Sequence, residues 1–271
     1  TLIKRYQRNP YITSLSLRAA SSILLANEQY DLAISLITLT ITLNSLEDEA
    51  VQSQRHLLAQ LLFQEEQYKK SIQTLKSWLS KALPEDINAS DYYLVALAWY
   101  QLDQCKNALK EASHGIKQLK KDDENLLRLT LSCQLNAKDY LSADDTLARL
   151  VKLSPADAKY WNQWVSIHLL NNQPQKALAV MEIMADKKQL STEQQRLRYV
   201  GLLQQQDNPQ RAAKALETFI KGQQIPDTVK HQQRLAYAWE QAGHIDKALA
   251  VFDLSVTARN DEKGFQHYTR L

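Results

Sequence analysis

The residues of this 271-residue chain that could do acid, base, nucleophilic or metal chemistry are scattered. Six histidines, His56, His114, His168, His231, His244 and His267, include no pair at helical metal-ligand spacing and no HExxH. Each reads as a surface or partly buried side chain. The five glycines, Gly115, Gly201, Gly222, Gly243 and Gly264, lie far apart, whereas a phosphate-cradling loop or a nucleophile elbow needs them clustered. Paired carboxylates at Asp122/Asp123 and Asp144/Asp145 read as helix-start or solvated groups. General acid–base work needs a pocket, which nothing in the sequence marks. The expectation is a binding protein with no catalytic, cofactor or metal site.

The elements that must position any binding residues are helices. The chain has only five Gly and six Pro, which argues against a turn-rich β-sandwich and against long flexible linkers. Its 44% hydrophobic content suffices for a continuous core. Thirty-three Lys and Arg against 30 Asp and Glu leave a formal charge of +3, too small to predict a nucleic-acid or membrane surface. No apolar run approaches the roughly 20 residues needed to span a bilayer, so no direct membrane insertion is expected. The chain begins at Thr1 without a signal peptide, which does not exclude export.

The stretch from Ala158 to Met184 shows the unit of construction. Tyr160, Trp161, Trp164, Ile167 and Leu170 recur at helical spacing. A polar turn, Asn171-Asn172-Gln173-Pro174, follows, and then Ala177, Leu178, Val180 and Met181 resume the spacing. Two such helices cannot bury their apolar faces alone. Small residues then mark one copy after another at Ala33, Ser71, Ala108, Ala143, Ala177, Ala212 and Ala248, at intervals of 34 to 38 residues. This period is the sign of a helical solenoid. Three residues before each stand Tyr30, Tyr68, Cys105, Tyr140, Pro174, Pro209 and Ile245, placed to plug the helix junction. Four residues after stand Ile37, Leu75, Ala112, Leu147, Met181, Leu216 and Phe252, on the same face one turn along.

Cys105 and Cys133 are the only cysteines. Cys105 occupies a plug position, so it reads first as a small buried hydrophobe. Cys133 falls in the first helix of the next copy, and neighbouring copies pack together, so a disulfide is geometrically open. So few cysteines place no constraint on compartment.

The pattern resembles tetratricopeptide repeats, with about seven helix-turn-helix copies over residues 14–258, preceded by a segment 1–13 without the pattern. Residues 259–271 read as the start of a further helix, and with no polar cap evident the chain is expected to continue. Trp161, Ala177, the Tyr140/Ala143 pair, Pro155, and Gly243 ahead of Ile245/Ala248 match family landmarks. The glycine usual in the first helix is Ala59, Ala96 or Ala236 in some copies and Leu131, Val165 or Val200 in others. The resemblance implies an all-α, right-handed superhelical solenoid with a concave groove. One junction, Gly222 to Val229, resembles pentatricopeptide repeats, but RNA readout by that family needs the junction in successive repeats, so no nucleic-acid partner is expected.

A narrower resemblance runs from Asn125 to Ile220, through Lys138-Asp139-Tyr140, the run Leu147 to Pro155, Tyr160-Trp161, Gln175 to Val180 and Arg211 to Glu217. It is joined by Phe63 to Leu79 with Tyr68 and Trp78. These segments are similar to tetratricopeptide proteins of TonB energy-transduction systems in Gram-negative bacteria. The resemblance implies a periplasmic location and TonB-complex partners, with a cytoplasmic location as the alternative.

In this fold the first helix of each pair lines the groove. The resemblance therefore implies a partner-binding face containing Arg18, His56, Gln60, Tyr93, Tyr100, Arg128, Asn162, Gln163, Arg198, Lys230, Arg234 and Tyr237. Arg and Tyr often carry interface energy, and amides can bond an extended backbone, so the list suits a peptide or protein partner with acidic character. The chaperone-tail clamp of the family needs five set residues, of which only Lys230 and Arg234 are matched here. The expected function is a non-catalytic interaction scaffold. Alternatives are a scaffold for pilus or outer-membrane assembly, or the recognition domain of a larger enzyme.

Overall fold

The computed structural model describes residues 9–259, with side chains described through Phe252. Among them are 14 α-helices and no strand. The chain divides into two units between Ser142 and Ala143. The first contains α1 (Pro10–Ala26), α2 (Tyr30–Leu43), α3 (Asp48–Gln64), α4 (Tyr68–Leu79), a 3-10 turn (Pro84–Asp86), α5 (Ala89–Gln101), α6 (Cys105–Leu119) and α7 (Glu124–Asn136). The boundary falls in the first turn of α8 (Tyr140–Leu153). The second unit continues with α9 (Ala158–Leu170), α10 (Pro174–Asp186), α11 (Glu193–Gln205), α12 (Pro209–Lys221), α13 (Val229–Gln241) and α14 (Ile245–Arg259).

The first helix begins at Pro10, ahead of the expected boundary at residue 14. Asn9 accepts the backbone N–H groups of Tyr11 and Ile12, and Pro10 lacks the donor that a first-turn residue would leave unpaired. Of residues 259–271, expected to open a further helix, Arg259 is the last residue of α14, and residues 260–271 lie outside the described residues.

Both marker columns are buried. Ala33, Ser71, Ala108, Ala143, Ala177, Ala212 and Ala248 are at most 1% exposed, and so are Ile37, Leu75, Ala112, Leu147, Met181, Leu216 and Phe252. Ser71 shows why the first column is small. Its Oγ donates to the carbonyl oxygen of Ala59 at 2.7 Å, so α4 crosses α3 too closely for a longer side chain. The plug positions differ from expectation. Each is the first residue of its helix and only half-buried, and Ile245 is 39% exposed, because a side chain at a helix start lies at the rim of the crossing.

Every turn between the paired helices has one geometry. The residues five before the small column, Glu28, Glu66, Asp103, Lys138, Asn172, Asp207 and Gly243, all have positive φ. In all seven, the next residue donates its N–H five residues back: Gln29 to Leu24, Gln67 to Leu62, Gln104 to Trp99, Asp139 to Gln134, Gln173 to His168, Asn208 to Leu203 and His244 to Trp239. This is the Schellman stop, which satisfies the last carbonyls of the first helix. Only Gly243 is the residue that left-handed backbone favours. Glu66→Gly is therefore expected to stabilise the protein by about 1 kcal/mol and Gly243→Ala to destabilise it by a similar amount, read from urea unfolding midpoints.

First helices are also capped at their starts. Asn88, Asp123, Asp157, Thr192 and Thr228 each accept a first-turn backbone N–H from α5, α7, α9, α11 and α13.

Candidate functional site

In the first unit the face predicted from α1, α3, α5 and α7 carries Arg18, Gln60 and Arg128 exposed. Tyr93 and Tyr100 are half-buried and pack against a core cluster of Tyr92, Ala96, Ala112, Leu126 and Leu129. His56 is committed to the fold. Its ring stacks on Trp78 with centroids 4.2 Å apart, and Nε2 lies 2.7 Å from Oδ1 of Asp91, whose side chain is 2% exposed. Asp91 is held in turn by the backbone N–H of Asn88, which donates to Oδ2 at 2.9 Å in a capping box. His56 thus joins two successive first helices.

Beside it lies a cavity of about 980 Å³ lined by His56, Arg55, Trp78, Lys81, Glu85 and Asp86, among others. The long connection between α4 and α5, with its 3-10 turn, supplies one wall. Its lining mixes both signs of charge and offers no catalytic geometry.

In the second unit, α9, α11 and α13 are neighbours, tied by specific bonds. Gln195 donates from Nε2 to Asn162 Oδ1 at 2.9 Å, and His231 Nε2 lies 3.5 Å from Glu193 Oε1. Asn162 also donates to the Ala158 carbonyl, so this predicted contact residue is spent on the helix ladder. Gln163 is half-buried, and its Oε1 is buried without a hydrogen-bond partner among the described residues. Tyr237 is 38% exposed and meets Phe252 edge-on at 5.5 Å.

Three cations remain. Arg198 and Lys230 are exposed, and Arg234 is half-buried; none has a carboxylate partner among the described residues. Arg234 reaches from α13 to α11, where Nη2 donates to the Leu197 carbonyl at 3.3 Å and approaches Gln204 Oε1 at 3.5 Å. Burial holds its pKa below the usual guanidinium value. None of the 12 predicted face residues is acidic.

Some structure escaped the sequence reading. His168 and His231, expected to be surface or partly buried side chains, are 4% and 7% exposed. Asp144, expected as a solvated helix-start group, accepts the Trp164 indole N–H and lies 3.3 Å from His168 Nε2 and 3.8 Å from Lys176 Nζ. Cys105 and Cys133 form a disulfide with Cα atoms 5.3 Å apart, so Cys105 is not a free hydrophobe. The available signal was its plug position one repeat before a first-helix cysteine. No group of three or more His, Cys, Asp or Glu among the described residues could hold a metal ion. No described helix is long and apolar enough to cross a membrane.

Neither a family model nor a curated protein matches this sequence. Solved structures do resemble the fold. A tetratricopeptide repeat protein from Parabacteroides merdae superposes with a TM-score of 0.51 at 8% identity, over 95% of this chain and 98% of its own. The structure of Naa15/Naa10 bound to HypK-THB gives 0.59 at 13% identity, over 95% of this chain but 39% of that one. The C-terminal part of a TPR repeat-containing protein from Cytophaga hutchinsonii gives 0.50 at 12%, over 92% and 98%. At such identities the likeness speaks to the fold alone: this is an all-α helical-repeat solenoid, similar in fold to these tetratricopeptide repeat structures.

Proposed function

We propose that the chain is a non-catalytic scaffold whose first-helix face binds an acidic segment of a partner protein, in an oxidising compartment and beside a TonB-type envelope complex. The observation that carries the reading is the set of three cations, Arg198, Lys230 and Arg234, without carboxylate partners on a face where no acidic residue was predicted. Unneutralised cations that share one face steer an acidic partner and fix its register. The fold supports a scaffold, and the Naa15/Naa10 neighbour was solved bound to HypK-THB. The Cys105–Cys133 disulfide supports an oxidising compartment such as the periplasm. The TonB setting is supported by the repeat-segment resemblance from Asn125 to Ile220.

Arg198→Gln with Lys230→Gln removes two exposed cations that make no hydrogen bond or ion pair among the described residues, so stability should be unchanged. Affinity capture from a Gram-negative envelope extract should recover TonB-complex subunits with the original chain and at least tenfold less with the double variant. Equal recovery, or recovery of cytoplasmic proteins by both, would overturn the reading.

A further inference from the structure

We propose that the first helical hairpin, α1 with α2, is the interface through which two copies of this chain associate, packed on a leucine seam of α2. This hairpin belongs to the first unit, whereas the cations Arg198, Lys230 and Arg234 belong to the second, so the interface stands or falls apart from the acidic-partner reading.

Of the 15 large hydrophobic side chains exposed among the described residues, seven stand on these two of the 14 helices. Apolar surface gathered in this way marks a contact site, whereas singly scattered hydrophobes need no explanation. Its pattern on α2 is regular. Leu32, Leu36, Leu39 and Leu43 follow one another at steps of four, three and four residues, the spacing of a coiled-coil seam. The seam is separate from the core face of α2, where Ala33, Ile37 and Thr40 are buried. Leu32, Leu39 and Leu43 stay exposed, and Leu36 is half-buried. On α1, Ile12, Leu15, Ala19 and Ile23 are likewise exposed at helical spacing along one side.

The flanks of the seam favour a second copy as its occupant. Charges beside such a seam ordinarily select a different chain. Here the flank carries Ser35, Thr38 and Thr42, Asp31 is the only charge on α2, and Arg18 is the only charge on α1. One anion and one cation make the hairpin its own complement in a two-fold contact, where residue i meets j and j meets i. The flank also loses its water at little cost. Ser35, Thr38 and Thr42 donate their hydroxyls to the carbonyl oxygens of Asp31, Ile34 and Thr38 at 2.7–2.9 Å, so burial orphans no donor. An apolar centre depleted of charge is what distinguishes homodimer interfaces. A membrane surface fits less well, because interfacial helices carry Lys and Arg along their polar face and these two carry a single Arg.

Sedimentation equilibrium over the micromolar range tests this. The original chain should reach twice its single-chain mass of 31.1 kDa. Leu32→Lys with Leu39→Lys places cations on the seam at side chains that are 56% and 45% exposed, so helicity should be kept while association weakens at least tenfold. Leu141→Lys with Leu153→Lys adds the same charge at exposed sites of α8 and should leave association unchanged. A chain that keeps its single mass throughout, a seam variant that associates like the original, or an α8 variant that dissociates as the seam variant does, overturns the interface. A single-mass chain that floats with phosphatidylglycerol vesicles only when the seam is intact overturns it in favour of a membrane surface. One that captures an envelope protein only when the seam is intact overturns it in favour of a different chain.

Discussion

Opening the Cys105–Cys133 disulfide should cost the first unit about 3–4 kcal/mol of stability. The bond joins the first residue of α6 to the last turn of α7 and closes a loop of sequence separation 28. In the chain-entropy account, removing a cross-link over such a loop frees the unfolded ensemble by about this amount. Cα atoms 5.3 Å apart lie within the range usual for a disulfide. Cys133 is 1% exposed, so reduction also leaves two thiols facing each other across a packed junction. A loss of this size in a unit of about 140 residues should lower its melting temperature by about 10 °C. Calorimetry with and without dithiothreitol reads the effect. Cys105→Ala with Cys133→Ala should reproduce the reduced value and abolish any response to the reductant. If two free thiols titrate in the untreated protein and melting ignores dithiothreitol, the bond is absent and the support for an oxidising compartment goes with it.

The repeat was legible because a helix crossing imposes a size limit that sequence cannot disguise. Ala33 through Ala248 are all buried, and the residue four positions along each second helix is buried with them. The turns were not legible. Glu28, Glu66, Asp103, Lys138, Asn172 and Asp207 adopt a backbone usually left to glycine, and only Gly243 announced it. Seven sets of equivalent hydrogen bonds fix that geometry, so residue type is free to vary. The candidate site divides the same way. Helical projection placed Arg198, Lys230 and Arg234 on the first-helix face. Projection knows nothing of partners in the next repeat, however, so it could not see Arg234 against Gly201, Asn162 bound by Gln195, or Tyr93 and Tyr100 drawn into a core cluster.

His56 is the sharpest case, and Asp91→Ala should show it by destabilising the first unit by about 3 kcal/mol. The substitution deletes the capping-box acceptor of the Asn88 N–H, worth about 1 kcal/mol, and leaves His56 Nε2 facing a space from which its acceptor has gone, at about 1–3 kcal/mol more. His56→Ala should cost about 2 kcal/mol, because it removes both this bond and the stack on Trp78. The two losses share one interaction. The double variant should therefore be less destabilised than the sum of the singles, by at least 1 kcal/mol, in urea unfolding of the four proteins. A residue kept for binding would behave otherwise: His56→Ala would spare stability, weaken partner capture, and add independently to Asp91→Ala. Additive losses would return His56 to the binding face. Coupled losses identify a histidine whose work is to join α3 to α5, and they leave the cations of the second unit as the residues available to a partner.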